Sequence, residues 1–580
     1  LPELNIKVVY PADGARITAP ATFLLGSVSP GCTLQCSGQP VRLNKNGFFA
    51  HTVKLTPGVN NFVLVLSPAA DSNVQPEQRL VTITKPLPRE PIPLGKLTID
   101  PESPEPAQDL GVTAGDFINL SIRATPHCTA IAKLENHSIE LKPVVKTNSS
   151  ELITEYGVAY RNARVSQADL YTGFYKVSSL DSWKNMQIKY ELFDKSGKIT
   201  QIGKAKLCTV PQPIPAHTIS SHTVVRVGPG KGRVTPLVAD VHLMVDGWQG
   251  SQMRCWLAPG HHVWVDHSEL MLDPQMQVLP QAIVRTINVV ENGRDTQIQI
   301  PLDQRLPYRI EQHVNPESLT LQIYGATSDA DWITNSVPGV HAAVLDHVSC
   351  AQPSDNVVEI TAHLKHPQWG FWADYDNTTL VLHIRSAPEV TEGLKGLTVC
   401  VDPGHGGNEP GATGPSGVRE AVINLDIASK FAQLLNEHGA TVFMTRTKAD
   451  ENPSLQERPE IAVSHNADLL ISIHNNALPD NRDPWQEHGS STYWYHPQAI
   501  KLAQSLKNPL VFELNLHDYG TFFQNLALAR PSNMPACLVE VGFMTNPDEY
   551  AQLLDPNFCN RVAEALLHGV ESYVHTAARQ

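Results

Sequence analysis

Four stretches in the last third of the chain carry the clearest pattern of apolar and polar positions. Leu397-Thr398-Val399-Cys400-Val401 is a short apolar run rich in β-branched residues, and it reads as a buried strand. Pro403 and the glycines around it end that strand abruptly and leave His405 on a loop at its carboxyl end. Asp468 to Asn475 repeats the design with His474 at its end, and Ala536 to Phe543 repeats it again with Glu540. Between them, Ala421 to Asn436 places Leu425, Ala428, Phe431, Ala432 and Leu435 at helical spacing, and Gly439 is a carboxyl-terminal stop. Further strands are expected at Ala440 to Met444 and Gly489 to Tyr495. Strands alternating with helices predict an α/β domain with a mostly parallel sheet over residues 391–580.

Upstream the period changes to two. Phe48 to Val53 and Asn61 to Leu66 alternate between turns at Pro11 to Gly14 and Asn44 to Gly47, which predicts a β-sandwich over residues 1–85. Prolines crowd residues 85–106, a semi-stiff linker by composition. Residues 107–208 continue as a second β-rich module, with Phe117 to Ile122 its clearest strand. The aromatics from Tyr171 to Tyr175 fit either a half-buried sheet face or a sugar-stacking surface. After a second proline-rich break at Val210 to Pro215, residues 217–275 read as a small β-barrel containing Trp248, Trp256 and Trp264. Residues 281–388 alternate cleanly at Thr296 to Ile300, Leu319 to Ile323, Val357 to Ile360 and Thr379 to Ile384. The expected fold class is therefore multidomain, several all-β modules followed by one α/β domain.

The chemistry follows from where the strands end. In open α/β sheets, ligands sit in the crevice beyond the carboxyl ends of the strands. Three strands deliver His405, His474 and Glu540 to that edge, and Glu420, in the first turn of the expected helix, lies near the loop that carries His405. Two histidines and one carboxylate with an open position form a catalytic zinc set, which leaves Glu540 as a base. Glu540 stands among Leu538, Val539, Val541 and Phe543, and a carboxylate in a buried strand needs a partner or a function. His261, His262 and His267 offer a second histidine cluster, without a carboxylate in a comparable strand-end setting.

With these residues in place, the stretch from Leu394 to Tyr573 resembles the zinc-dependent N-acetylmuramoyl-L-alanine amidases of bacterial cell-wall turnover, of the amidase-3 type. The resemblance is carried by Val401 to Gly407, Arg419-Glu420 with Asn424-Leu425, Thr445-Arg446, Arg458, Ser472 to Asn476, and Met534-Pro535 through Phe543 with Thr545-Asn546. It implies that His405, Glu420 and His474 bind Zn2+ and that Glu540 is the catalytic glutamate. Arg419 and Asn475 stand where the family pattern often has lysine and alanine. The implied reaction cuts the amide between N-acetylmuramic acid and L-alanine in peptidoglycan. A zinc peptidase acting within wall peptides and an inert wall-binding scaffold are the alternatives. Some envelope amidases carry a long insert after the second zinc histidine, with a helix that occludes the site. Here Ala477 to His488 is too short for such a helix. The expectation is an open catalytic domain whose location is set by the amino-terminal modules.

Weaker resemblances apply upstream. Residues 1–85 resemble bacterial immunoglobulin-like modules, residues 217–275 a Src-homology-3-like barrel, and residues 281–388 the AMIN domain that targets several envelope enzymes to wall or division sites. Such modules imply envelope or division-site partners.

Composition narrows the remaining classes. A chain of 580 residues is too long for one core and suggests about four to five domains. Its formal net charge of −14 argues against nucleic acid or an anionic surface as a charge-driven partner. No apolar run is long enough to form a transmembrane segment. A start at Leu-Pro-Glu without methionine reads as a processed product, a signal peptide removed on the way to the periplasm or cell envelope. Nine dispersed cysteines contain no Cys-x-x-Cys pair, so a thiolate zinc site is not expected. Cys400 and Cys537 read as small buried thiols, while Cys32 with Cys36 or Cys128 with Cys208 offer pairings in an oxidising compartment.

Overall fold

The computed structural model describes residues 4–68, 75–87, 92–144, 152–155, 158–161, 168–276, 280–330 and 344–577. Two sheets form the amino-terminal module. Ile6–Tyr10, Ala21–Val28 and Phe48–Lys54 make one, and a five-stranded sheet containing Gly58–Ser67 and Glu77–Lys85 makes the other. Their inward positions, among them Leu24, Phe49, Leu64, Leu66 and Ile83, form one core. The alternation read from residues 61–66 is thus the inward and outward face of a paired strand. Of the proline-rich linker, residues 88–91 lie outside the described residues.

The next two stretches share a sheet. Leu110–Val112 pairs with Gly197–Thr209 on one side and with His242–Gln249 on the other. Arg254 reinforces this seam with ion pairs at 2.8 Å to both Asp116 and Asp246. Ile214–Thr218, at the end of the stretch 210–215, pairs with His242–Gln249 and so belongs to the later module. Residues 281–388 form two four-stranded antiparallel sheets, and their core is continuous with that of residues 217–275. All nine cysteines are unpaired thiols, with Cys400 and Cys537 fully buried.

The carboxyl-terminal domain holds β1 (Thr398–Pro403), α1 (Glu420–Glu437), β2 (Thr441–Met444), α2 (Glu457–Ser464), β3 (Leu469–Asn476), β4 (Ser490–Trp494), α3 (Ile500–Phe512), β5 (Asp518–Phe523), β6 (Ala536–Phe543), α4 (Pro547–Leu553) and α5 (Pro556–Ala577). Its sheet runs β2-β1-β3-β6-β4-β5. The first four are parallel, and β4 is antiparallel to β6. One face packs α1, α3 and α5 through Ile427, Phe431, Leu506, Val562 and Leu566, all buried. Leu425 lies half-buried at the edge of the stripe on α1, and Ile427 takes the central position instead. Among the described residues no helix is long and apolar enough to cross a membrane.

Two upstream modules dock on this domain. Trp369 packs on Tyr573, and Arg294 pairs at 2.8 Å with buried Asp468. On the opposite side the amino-terminal sandwich grips Ala477 to His488, the segment that follows β3. Tyr10 and Thr22 both donate to Asp480 Oδ1, at 2.7 and 2.5 Å, and the indole of Trp485 donates to the carbonyl of Ala50 at 2.7 Å. Phe23, Leu25 and Ala50 of the sandwich share a small core with Leu478 and Phe543. The segment contains no helix, as its composition predicts, and it is anchored to a module more than 400 residues away in sequence.

Candidate metal centre

The end of β1 turns through Gly404 into His405, whose φ of 59° puts a non-glycine residue in the left-handed region. That conformation is held from below. Arg446 donates to the carbonyls of Pro403, Gly404 and Ala421, and Arg458 donates to the carbonyls of Pro403 and His405. Both guanidiniums are buried, and Arg458 also forms an ion pair at 2.8 Å with Asp402, whose side chain is fully buried. Thr445 and Ser472 donate the remaining bonds to that carboxylate, each at 2.5 Å. Burial alone raises the Asp402 pKa, but Arg458 and the two hydroxyls outweigh it and hold the carboxyl below its ordinary value.

Above this base the side chains of His405, Glu420 and His474 converge. One ligand atom from each lies within 4.8 Å of the others, and among the described residues they form the only such group of three. Glu420 stands between the rings, with Oε2 at 3.3 Å from His405 Nε2 and Oε1 at 3.1 Å from His474 Nδ1. Two donors each ~2.0–2.2 Å from one tetrahedral ion lie about 3.4 Å apart, so these residues fit zinc. Burial pushes the Glu420 pKa up, yet its hydrogen bonds with His405 and then His474 hold it well below the usual carboxylate range. Burial likewise depresses the His405 pKa, and Glu420 more than reverses this.

Glu420 is further fixed by the backbone N–H of Ala412 at 2.9 Å, that of Asn475 at 3.2 Å and the amide of Asn424 at 3.0 Å. Asn475 in turn donates from Nδ2 to Asn424 at 2.8 Å. The asparagine that departs from the family pattern therefore buttresses the network that orients Glu420. Close approach explains two glycines. A Cβ on Gly404 would stand 2.2 Å from His474 Nε2, and one on Gly411, whose φ is +67°, 2.4 Å from Glu420 Oε2. Gly404→Ala accordingly displaces the His474 ring. It is expected to weaken zinc affinity about 10–100-fold, the usual cost of disturbing an orienting contact, as measured by chelator competition.

Glu540 sits on β6 directly opposite His474 on β3. The residue is half-buried, while its Oε2 is buried with no hydrogen-bond partner. Burial, then the neighbouring Glu420 charge, pushes its pKa well above the ordinary value. An unpartnered carboxylate oxygen beside a metal site is a free proton acceptor.

The structure thus brings His405, Glu420, His474 and Glu540 to one edge of the sheet. The other histidine cluster does not gather. His262 bonds Asp246 at 2.8 Å and His261 packs on Tyr324. Asn424, Arg446 and Arg458 had no chemical role assignable from sequence. Asp402 lies within the Val401 to Gly407 motif without a role of its own there, although a carboxylate ending an apolar strand is the available signal.

The sequence profile of the N-acetylmuramoyl-L-alanine amidase family matches residues 399–572. The probable cell wall amidase LytH of Staphylococcus epidermidis is 35% identical over 182 residues, 31% of this chain and 59% of that protein. The chain therefore spans less than two thirds of the length of that relative. YqiI of Bacillus subtilis is 30% identical over 202 residues, 35% of this chain and 97% of that protein. Among solved structures, the N-acetylmuramoyl-L-alanine amidase AmiC2 of Nostoc punctiforme is 36% identical with a TM-score of 0.29, covering 31% of this chain and 97% of that one.

Proposed function

This chain belongs to the N-acetylmuramoyl-L-alanine amidase family through residues 399–572, and from that membership we propose that it hydrolyses the amide between N-acetylmuramic acid and L-alanine in peptidoglycan. The observation that carries the proposal is the convergence of His405, Glu420 and His474 with Glu540 facing them from the next strand.

An amide is a weak electrophile and its nitrogen a poor leaving group, so the site must supply a nucleophile, charge stabilisation and a proton. His405, Glu420 and His474 would hold a zinc ion, which when bound would supply the Lewis acidity that brings the pKa of water toward about 7. Glu540 accepts the proton of the attacking water at its unpartnered carboxylate and returns it to the departing alanine nitrogen. Asn424 and Asn475 keep Glu420 aimed, and Arg446 and Arg458 keep the His405 loop in its left-handed turn.

The upstream modules, immunoglobulin-like at 1–85, Src-homology-3-like at 217–275 and AMIN-like at 281–388, hold the enzyme against the wall outside the cytoplasm. Purified chain is expected to carry about one zinc per molecule. Chelation abolishes cleavage of sacculi, zinc restores it, and His474→Ala neither retains nor regains the metal. Undiminished cleavage by chelated, metal-free chain sinks the reading.

A further inference from the structure

At the sheet edge opposite the metal centre, residues of three modules enclose a cleft of about 600 Å³, within the ~300–1,000 Å³ of small-molecule sites. Its position follows from the topology. Residues 527–534 lead into β6, and Tyr495 and His496 follow the antiparallel β4, so both lie at the amino ends of the parallel strands. Residues 221–238 close it from one module and Phe371 and Trp372 from another.

Four arginines line this cleft; Arg309 pairs with Glu311 at 2.7 Å and Arg385 with Asp295 at 3.3 Å, which leaves Arg233 from the barrel-like stretch and Arg530 from the α/β domain. Asn525 ties them together, donating to the Arg233 carbonyl at 3.2 Å and accepting from Arg530 Nε at 2.6 Å. Among the described residues neither guanidinium has a carboxylate within the 4.0 Å of an ion pair. Burial, then Arg233 and Arg226, pushes the Arg530 pKa down to about 10, and burial with Arg226 lowers that of Arg233 against the more distant charge of Glu269. Partly buried like charges without a carboxylate in contact are costly, and an anion relieves the cost. The same cleft is also lined by Glu460 and Asp374, whose carboxylates contact Gln456 at 3.3 Å and His383 at 3.2 Å. Trp372, Tyr495 and Phe371 add apolar surface to the lining.

We propose that this cleft is a second ligand site, separate from the metal centre, that takes a short amphoteric peptide with its carboxylate on Arg233 and Arg530 and its ammonium toward Glu460 or Asp374. A guanidinium fork matches a carboxylate in plane and spacing. A phosphate satisfies the arginines alone and leaves the acidic pair unused, so the mixed lining favours a peptide. Stem peptides released by the amidase reaction have this character, with several carboxylates and a freed alanyl ammonium. That identification rests on the proposed function, whereas the site itself does not.

The test is calorimetric titration of the full chain with L-alanyl-γ-D-glutamyl-L-lysine, its N-acetylated form and inorganic phosphate. Wild type binds the free tripeptide, and Arg233→Gln and Arg530→Lys each weaken it about tenfold or more, the worth of one bidentate charged bond. Lysine keeps the positive charge at position 530, so that variant separates loss of the fork from loss of folding. N-acetylation weakens binding, and phosphate does not displace the peptide. The proposal is overturned by absent binding, by binding indifferent to both arginine substitutions, or by phosphate binding more tightly than the peptide. Binding that survives both substitutions but vanishes in His474→Ala places the peptide at the metal centre, which ends this proposal and leaves the proposed function standing. Failure of the amidase reading shows instead as uncut sacculi, with the titration unaffected.

Discussion

Glu540→Gln retains its zinc and loses about 10²–10⁴-fold in hydrolysis, the contribution of one positioned general acid–base. The substitution keeps volume and shape, and because Oε2 has no hydrogen-bond partner it breaks no bond on that atom. It also removes a carboxylate whose nearest like charge is Glu420, so the fold does not suffer. Metal analysis and initial rates on the same preparation separate the roles. Loss of zinc with loss of rate makes Glu540 a ligand and displaces Glu420 from that role. An unchanged rate places the proton transfer elsewhere.

Arg458→Met is the most damaging change to stability. It leaves Asp402 charged and fully buried without its cation, and it frees the carbonyls of Pro403 and His405. Breaking a buried pair from one side costs about 3–5 kcal/mol, to be read from urea unfolding of the full chain by the transition that follows the α/β domain. The pH dependence weakens. In wild type the Asp402 carboxyl is depressed, so its stabilisation is complete above the unfolded value of about 3.9 and is lost as pH falls through the lower folded value. In the variant, Thr445 and Ser472 still donate to the carboxyl, but the Arg458 charge no longer opposes its burial, so the depression shrinks and stability depends less on pH below about 3.9. A loss below about 1 kcal/mol, typical of an exposed pair, contradicts this account of the loop.

What the sequence made legible was local. Each of β1, β3 and β6 announces itself by an apolar run, and the functional residue is simply where the run stops, so the order of residues alone aligns His405, His474 and Glu540. Glu420 was legible because helix α1 begins at it. Asp402 was not, because its meaning comes from Thr445, Ser472 and Arg458, which reach it from three other segments. The seam between residues 107–208 and 217–275 depends on Leu110–Val112, a strand of 3 residues, too short to show a period. The grip of the sandwich on Ala477 to His488 rests on single polar contacts such as Tyr10 with Asp480, which leave no pattern along either strand. That grip alters the expectation of an open domain governed only through location. The segment beside the metal centre is part of an interface, so the amino-terminal module helps to shape the rim of the site.

The most direct test of the central claim is mass spectrometry of purified sacculi digested by the full chain. The account predicts intact stem peptides that begin with a free L-alanine amine, together with glycan strands whose lactyl groups end in a carboxylate. Peptides cut internally, with L-alanine still joined to muramic acid, would contradict it.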